Sequence, residues 1–281
     1  MTNSSIHPGM LIYNIIKYFI YVALAYNVYA FFAEEWAAFQ HTHVGGLTSP
    51  SELIETFAAT IDTAAWVVLL YLFEAETFIM SDERVRRYKY PMILLKGLCY
   101  AFIVYACWGY IHKLWYVLNT SVASIPDACA AVSQNLSLMV DLDEYETLTA
   151  ANCIDLTGQS LLQINGTSIV GTESVFADTI KLAMVDVINA ASWVLVVVVL
   201  EIDVRLQLAG KLTDQGMKVG YVVKGLLYLA LFVCAVYWGF YGDFLDFWDA
   251  FLWLLAFFMI ELNIFNWHEH VKEEEEEANL A

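Results

Sequence analysis

Six apolar runs, each long enough to cross a bilayer, leave this chain few ways to fold. They cover roughly 10–33, 61–80, 92–117, 181–204, 219–241 and 247–267, and a membrane span needs about 20 apolar residues. Composition agrees. Of 281 residues, 60% are hydrophobic and 16% charged, where a soluble domain has about 45–50% and about 25%. The expectation is an all-α integral membrane protein with six transmembrane helices, because backbone in lipid must satisfy its own hydrogen bonds.

Orientation follows from the basic residues. Arg84, Arg86, Arg87 and Lys89 share the 81–91 connection, and Arg205, Lys211 and Lys218 share 205–218. The other side carries only Lys113 and Lys181, both at span ends. The positive-inside rule then places both termini in the cytoplasm and the long loops outside a plasma or inner membrane. The N-terminus lacks a basic n-region and a small-residue cleavage site, so the first run is expected to be a retained span.

Three of the runs repeat one spaced signature: Asp or Asn, a Trp four residues on, a Glu eight after that, and an acid or amide two further. It reads Asp62-Trp66-Glu74-Glu76, Asn189-Trp193-Glu201-Asp203 and Asp249-Trp253-Glu261-Asn263. The run before each opens with a Lys and a Tyr four residues later: Lys17-Tyr21, Lys96-Tyr100 and Lys224-Tyr228. From the Trp of one unit to the Lys of the next is 30 and then 31 residues (66 to 96, 193 to 224). Within a unit the Lys-to-Trp spacing varies, so insertions map to one face, as in tandem repeats. The predicted units are 1–80, 81–204 and 205–267, followed by an acidic tail over 268–281. Two-span units share one orientation, which predicts a parallel, pseudo-threefold bundle.

A charge repeated inside membrane spans needs a reason. Lys17, Lys96 and Lys224 share a level with Glu74, Glu201 and Glu261 near the cytoplasmic end. Three readings stand: interhelical ion pairs that set register, a ring around a central path that acts as ion site or gate, or snorkelling into headgroups. Asp62, Asn189 and Asp249 form an outer level about 18 Å away at 1.5 Å per residue, with Asp186 and Asp246 one turn further out. They read either as cation ligands at an outer mouth or as wetted carboxylates favoured by helix dipoles. The signature Trp reads as a core filler or belt residue. All four prolines (Pro8, Pro50, Pro91, Pro126) lie outside the runs or at their edges, which predicts unbroken, nearly straight helices.

Of the outer loops, 34–60 is predicted to hold a short amphipathic helix started by Ser49-Pro50-Ser51-Glu52. The long loop, 118–178, is rich in Ser, Thr, Ala, Asn and Asp. Short helices or irregular structure are expected there, pinned by a Cys129–Cys153 disulfide because the loop is too polar to hold a core alone. Cys99, Cys107 and Cys234 fall within runs and read as small apolar residues. Three N-x-S/T triplets start at Asn119, Asn135 and Asn165 and would be glycan acceptors only in a eukaryotic secretory setting.

A net charge of −18 argues against nucleic acid and anionic lipid surfaces. His41-Thr-His43 and His268-Glu-His270 offer two ligands each, too few for a metal site. No phosphate loop, nucleophile elbow or zincin motif is present, so no catalytic role, cofactor or metal is expected. The expected partners are membrane lipid and either further copies of the chain or other membrane subunits. Two function classes remain: a channel or facilitator for an ion or small solute, gated at the Lys/Glu level, and a non-catalytic scaffold or accessory subunit of a larger membrane assembly.

Overall fold

The structure is a computed structural model that describes residues 8–43, 46, 50–125, 127–209 and 213–259. Its helices are α1 (Pro8–Thr42), α2 (Pro50–Thr56), α3 (Ala58–Glu74), α4 (Asp82–Arg87), α5 (Lys89–Leu118), α6 (Glu173–Leu208), α7 (Asp214–Tyr241) and α8 (244–259). Among the described residues, five helices are long and apolar enough to span a membrane. The sixth predicted run is helical to 259 and then passes outside the described residues, as do Glu261, Asn263 and the acidic tail. Ser49 and Pro126 also lie outside them.

The long helices form a closed ring. α1 packs on α3, α3 on α5, α5 on α6 and α6 on α7. Phe247 of α8 lies against Gly239 of α7, close enough that a Cβ there would be 3.1 Å from the ring. α8 closes on α1 through Asn27 Nδ2, which donates to Asp249 Oδ1 at 2.7 Å, and Tyr13, which donates to the Met259 carbonyl at 3.1 Å. The centre is one apolar cluster that includes Ile20, Leu24, Leu70, Val196, Leu231 and Leu252. Large side chains such as Ile12, Phe19, Leu94 and Phe240 point outward and exposed, as suits helices whose solvent is hydrocarbon.

Several helices run longer than their apolar content predicts. α1 continues to Thr42 and α6 begins at Glu173, so much of the predicted loop sequence is helix. The 50–56 helix is present, and α5 crosses it closely: a Cβ on Gly109 would lie 3.6 Å from Glu55 Cα and from the Ile54 carbonyl oxygen. α3 needs a cap that Phe57 cannot supply. Glu35 of α1 provides it, accepting from the Ala59 and Thr60 N–H groups and the Thr60 hydroxyl at 2.8, 3.1 and 2.6 Å. The expectation of unbroken helices fails at the other end of α3, where Ala75–Ile79 is a π-helical turn.

The all-α expectation is also corrected. Residues 120–172 hold a five-stranded sheet: β1 (Thr120–Val122), β2 (Ser137–Asp141), β3 (Glu144–Thr147), β4 (Leu161–Ile164) and β5 (Ile169–Thr172). The order is β1-β4-β5-β2-β3, with β2–β5 parallel and the other pairs antiparallel. Nor is this region too polar for a core. Leu136, Leu138, Leu148, Leu156, Leu161 and Val170 bury one side around Cys153. Met139, Ile164 and Ile169 seat the other side on Val117 of α5 and on Phe176 and Ala183 of α6. Gly171 permits this seating, since a Cβ there would be 3.1 Å from Phe176 Cε2. Cys129 and Cys153 are joined as expected, with Cα atoms 5.0 Å apart. Across a separation of 24 residues loop-closure entropy gives such a link about 3 kcal/mol.

Candidate functional site

The bundle has two chemically distinct ends. At one end, where α3 gives way to α4, each signature Lys pairs with an acid of another helix. Lys17 Nζ donates to Glu74 Oε1 at 2.6 Å, with side-chain exposures of 10% and 5%. Tyr18 and Tyr21 also donate to this carboxylate, each at 3.2 Å. Among the described residues Lys96 and Lys224 do not pair with Glu201 or Glu74, but with the last acid of a signature. Lys96 takes Glu76, and Lys224 takes Asp203 at 3.0 Å. Glu201 is exposed and holds Arg205 four residues on, at 2.8 Å. The sequence brought the right charges to one level; helix rotation chose the partners.

In the middle of the bundle the three signature indoles meet. Trp66 lies 5.8 Å from Trp193 and 6.2 Å from Trp253 between ring centroids, and Phe257 lies tilted 4.7 Å from Trp193. All three tryptophans are at most 9% exposed. With Leu24, Leu70 and Val196 they form a dry layer between the two ends.

Beyond that layer lies an inner chamber of about 70 Å³, room for a handful of waters by the usual allowance per molecule. Its floor is the three indoles, and all six long helices contribute walls. Asp62, Asn189 and Asp249, the outer level read from the sequence, all line it, and so do Asp186 and Asp246 one turn further out. Glu34, Glu35 and Asp143 complete seven carboxyls, against which Lys113 is the one Lys or Arg in the lining. The Trp66 indole lies beside Asp62 and the Trp253 indole beside Asp249. Glu35 is engaged as the α3 cap, Asp249 accepts from Asn27, and Asp143 Oδ2 receives Lys113 Nζ at 2.5 Å. Among the described residues Glu34, Asp62, Asp186 and Asp246 form no ion pair.

A second, larger cavity of about 410 Å³ opens beside α2, lined by Phe39, His43, Glu55, His112, Tyr116 and Tyr145 among others. Glu35, Lys113, Leu142 and Asp143 line both cavities. These four side chains are therefore the partition between an outer vestibule and the inner chamber. Leu142 and Asp143 form the β2–β3 turn, and Asp143 takes the left-handed φ of 64° that such a turn needs. The sheet domain thus pushes one hairpin tip into the mouth of the bundle. Around it, burial raises the carboxyl of Asp141 above its ordinary range, against the Leu142 N–H it accepts. Burial also pushes the Tyr145 phenol up, with Asp143 adding to it. The His43 imidazole is held low by burial, against the pull of Glu52. His112 Nδ1 lies 3.2 Å from Glu55 Oε2, and His41 Nδ1 lies 3.0 Å from the Ser137 hydroxyl.

Sequence reasoning missed Glu34, Glu35, Lys113 and Asp143 as site residues. Two acids at the end of an apolar run and a lysine within one were visible signals, but nothing local tied them to a turn in a distant loop. Among the described residues no three His, Cys, Asp or Glu side chains cluster with metal-ligand geometry. Comparison of the chain with protein-family models, with curated proteins and with solved structures finds no match.

Proposed function

We propose that the protein is a membrane channel or facilitator for a cation, with the inner chamber as its selective element. One observation carries this: seven carboxyls from α1, α3, α6, α8 and the β2–β3 turn face one enclosed space that holds a single lysine. Carboxyls taken out of water in such excess either take up protons or hold counter-cations, and the cation reading follows the second course. The indole layer below the chamber acts as a closed gate in this conformation. The Lys/acid level serves as a set of bolts between helices, since its three described lysines are all paired.

The reading extends to topology. Arg84, Arg86, Arg87 and Arg205 lie at the paired end, which the positive-inside rule assigns to the cytoplasm. The disulfide-linked sheet then faces the oxidising side of a plasma or inner membrane, with both termini cytoplasmic. Three tandem two-helix units explain why three equivalent indoles meet at the centre. They also explain why Lys96 and Lys224 each bind the last signature acid of the preceding unit. In this scheme Lys17 would face the matching position, Asn263, and it pairs with Glu74 instead.

The test is flux. Purified protein in liposomes should pass monovalent cations over chloride, and Asp62→Asn combined with Asp186→Asn should reduce that flux at least tenfold while the protein stays monodisperse. Anion flux equal to cation flux, or flux indifferent to both substitutions, would sink the proposal. The dryness of the Lys17–Glu74 contact supports a second reading, an accessory subunit of a larger assembly. A stoichiometric partner in the gently extracted native complex, together with no flux, would favour that reading.

A further inference from the structure

Asn189 Oδ1, a buried atom of the inner chamber, has no hydrogen-bond partner among the described residues, and Trp238 Nε1 lies beside the Asp186 carboxyl without a well-formed hydrogen bond to it. Both residues line the chamber, and Trp238 is 5% exposed. An unmet buried polar group costs about 1–3 kcal/mol. The amide oxygen calls for a donor, and the indole N–H, beside Asp186 but poorly aligned with it, leaves room for a better-placed acceptor.

The arrangement of acceptors narrows the class of ligand. A metal ion gathers its oxygens around one point at about 2.0–2.6 Å, and no three of the described carboxyls converge in that way. An ammonium group instead donates along three separate directions, which matches acceptors spread over several helices. The chain already places one primary ammonium in this wall. Lys113 Nζ, with its side chain 13% exposed, binds Asp143 and sits 6.0 Å from the centre of the Tyr110 ring. The indole floor suits both the cation and a short carbon chain.

We propose that the inner chamber binds a small primary ammonium compound, with Asn189 Oδ1 and the Asp62 and Asp186 carboxylates accepting its N–H groups. An oxygen on the same compound meets the Trp238 N–H, so an amino alcohol fits better than a bare alkylammonium. The inference rests on the reading of the chamber as a cation site.

The experiment is calorimetric titration of the full-length protein in lipid nanodiscs at fixed ionic strength, with tryptophan fluorescence followed as a signal local to the floor. The probes are ethanolamine, ethylammonium, tetramethylammonium, sodium and calcium. Ethanolamine should bind saturably at one per chain and shift the fluorescence, ethylammonium more weakly, and sodium only so weakly that ethanolamine displaces it, while tetramethylammonium and calcium should neither bind nor compete. Asn189→Leu should weaken ethanolamine at least tenfold without lowering the unfolding temperature, because it removes an acceptor that is unpaired in the chain itself. Asp62→Asn should weaken it similarly; should that variant fail to fold, Asn189→Leu carries the test alone. Ethylammonium binding as tightly as ethanolamine would overturn the role of Trp238. Sodium or calcium binding in place of the amines would overturn the ammonium class and leave the cation chamber standing. Amine binding that ignores both substitutions would overturn the placement, and no cation binding in any arm would overturn both this inference and the cation reading.

Discussion

Among single residues, Glu74 carries the largest share of the paired end. Its carboxylate receives Lys17, Tyr18 and Tyr21 at once in a nearly dry contact. Removing one partner of a buried pair typically costs about 3–5 kcal/mol, whereas replacing both with apolar groups of similar volume is close to neutral. Glu74→Gln should therefore destabilise strongly, while Lys17→Met with Glu74→Met should recover most of the loss. Lys96→Met, in a pair that is 33% and 25% exposed, should cost about 1 kcal/mol or less. Thermal unfolding in nanodiscs ranks the three. A double variant no better than Glu74→Gln would show that the pair matters through something other than buried charge. The three lysines and the level they occupy were legible in the sequence, because a charge in an apolar run stands out. Their partners were not. Residues two apart on a helix point about 200° away from each other, so the choice between Glu74 and Glu76, or Glu201 and Asp203, depends on helix rotation. Spans that are apolar on nearly every face do not encode that rotation.

At the scale of elements, the molecule depends on caps and tips supplied from elsewhere in the chain. The first turn of α3 is held by Glu35 of α1, so the start of one helix is anchored to the side of another. Glu35→Ala should cost about 1–2 kcal/mol, the range for losing an N-cap. It should also raise hydrogen exchange at the amides of Ala59 and Thr60 before those of the α3 core. Uniform protection along α3 in the variant would refute the capping role. No local rule predicts this contact, since Glu35 and Ala59 belong to different helices. The sheet was a different kind of miss. Asn165-Gly166 sits between Leu161–Ile164 and Ile169–Thr172, and an Asn-Gly step between apolar or β-branched runs is a strong hairpin signal. The polar composition of the whole loop masked four short apolar segments that bury one another. The disulfide, read from two cysteines in one outer loop, was legible because that inference needs only context.

At the scale of the whole molecule, the chamber exists because a sheet domain and a helix bundle meet at one hairpin tip. The acids of the signature and those one turn beyond it were visible as a layer. Their enclosure was not, because it is made by Glu35, Lys113, Leu142 and Asp143 arriving from three separate parts of the chain. Enclosure makes access to the chamber a property of that partition. Leu142 fills space and the Lys113–Asp143 pair bridges it, so loosening either should open the chamber to the vestibule while the indole layer stays shut. Replacing Asn189 with Cys, in a background where Cys99, Cys107 and Cys234 are Ala, puts a thiol on the chamber wall. Its labelling by a small cationic methanethiosulfonate reagent, added on the sheet side, should accelerate at least tenfold in Leu142→Gly and several-fold in Asp143→Asn. Reagent trapped inside sealed vesicles on the other side should stay slow in all three proteins, because Trp66, Trp193 and Trp253 still close the floor. Equal labelling from both sides would mean the indoles are no barrier, and labelling indifferent to Leu142 would mean the hairpin tip is no partition. A cationic reagent reacting faster than a neutral one of the same size would tie the same experiment to the charge of the chamber, since excess carboxylate raises the local concentration of cations.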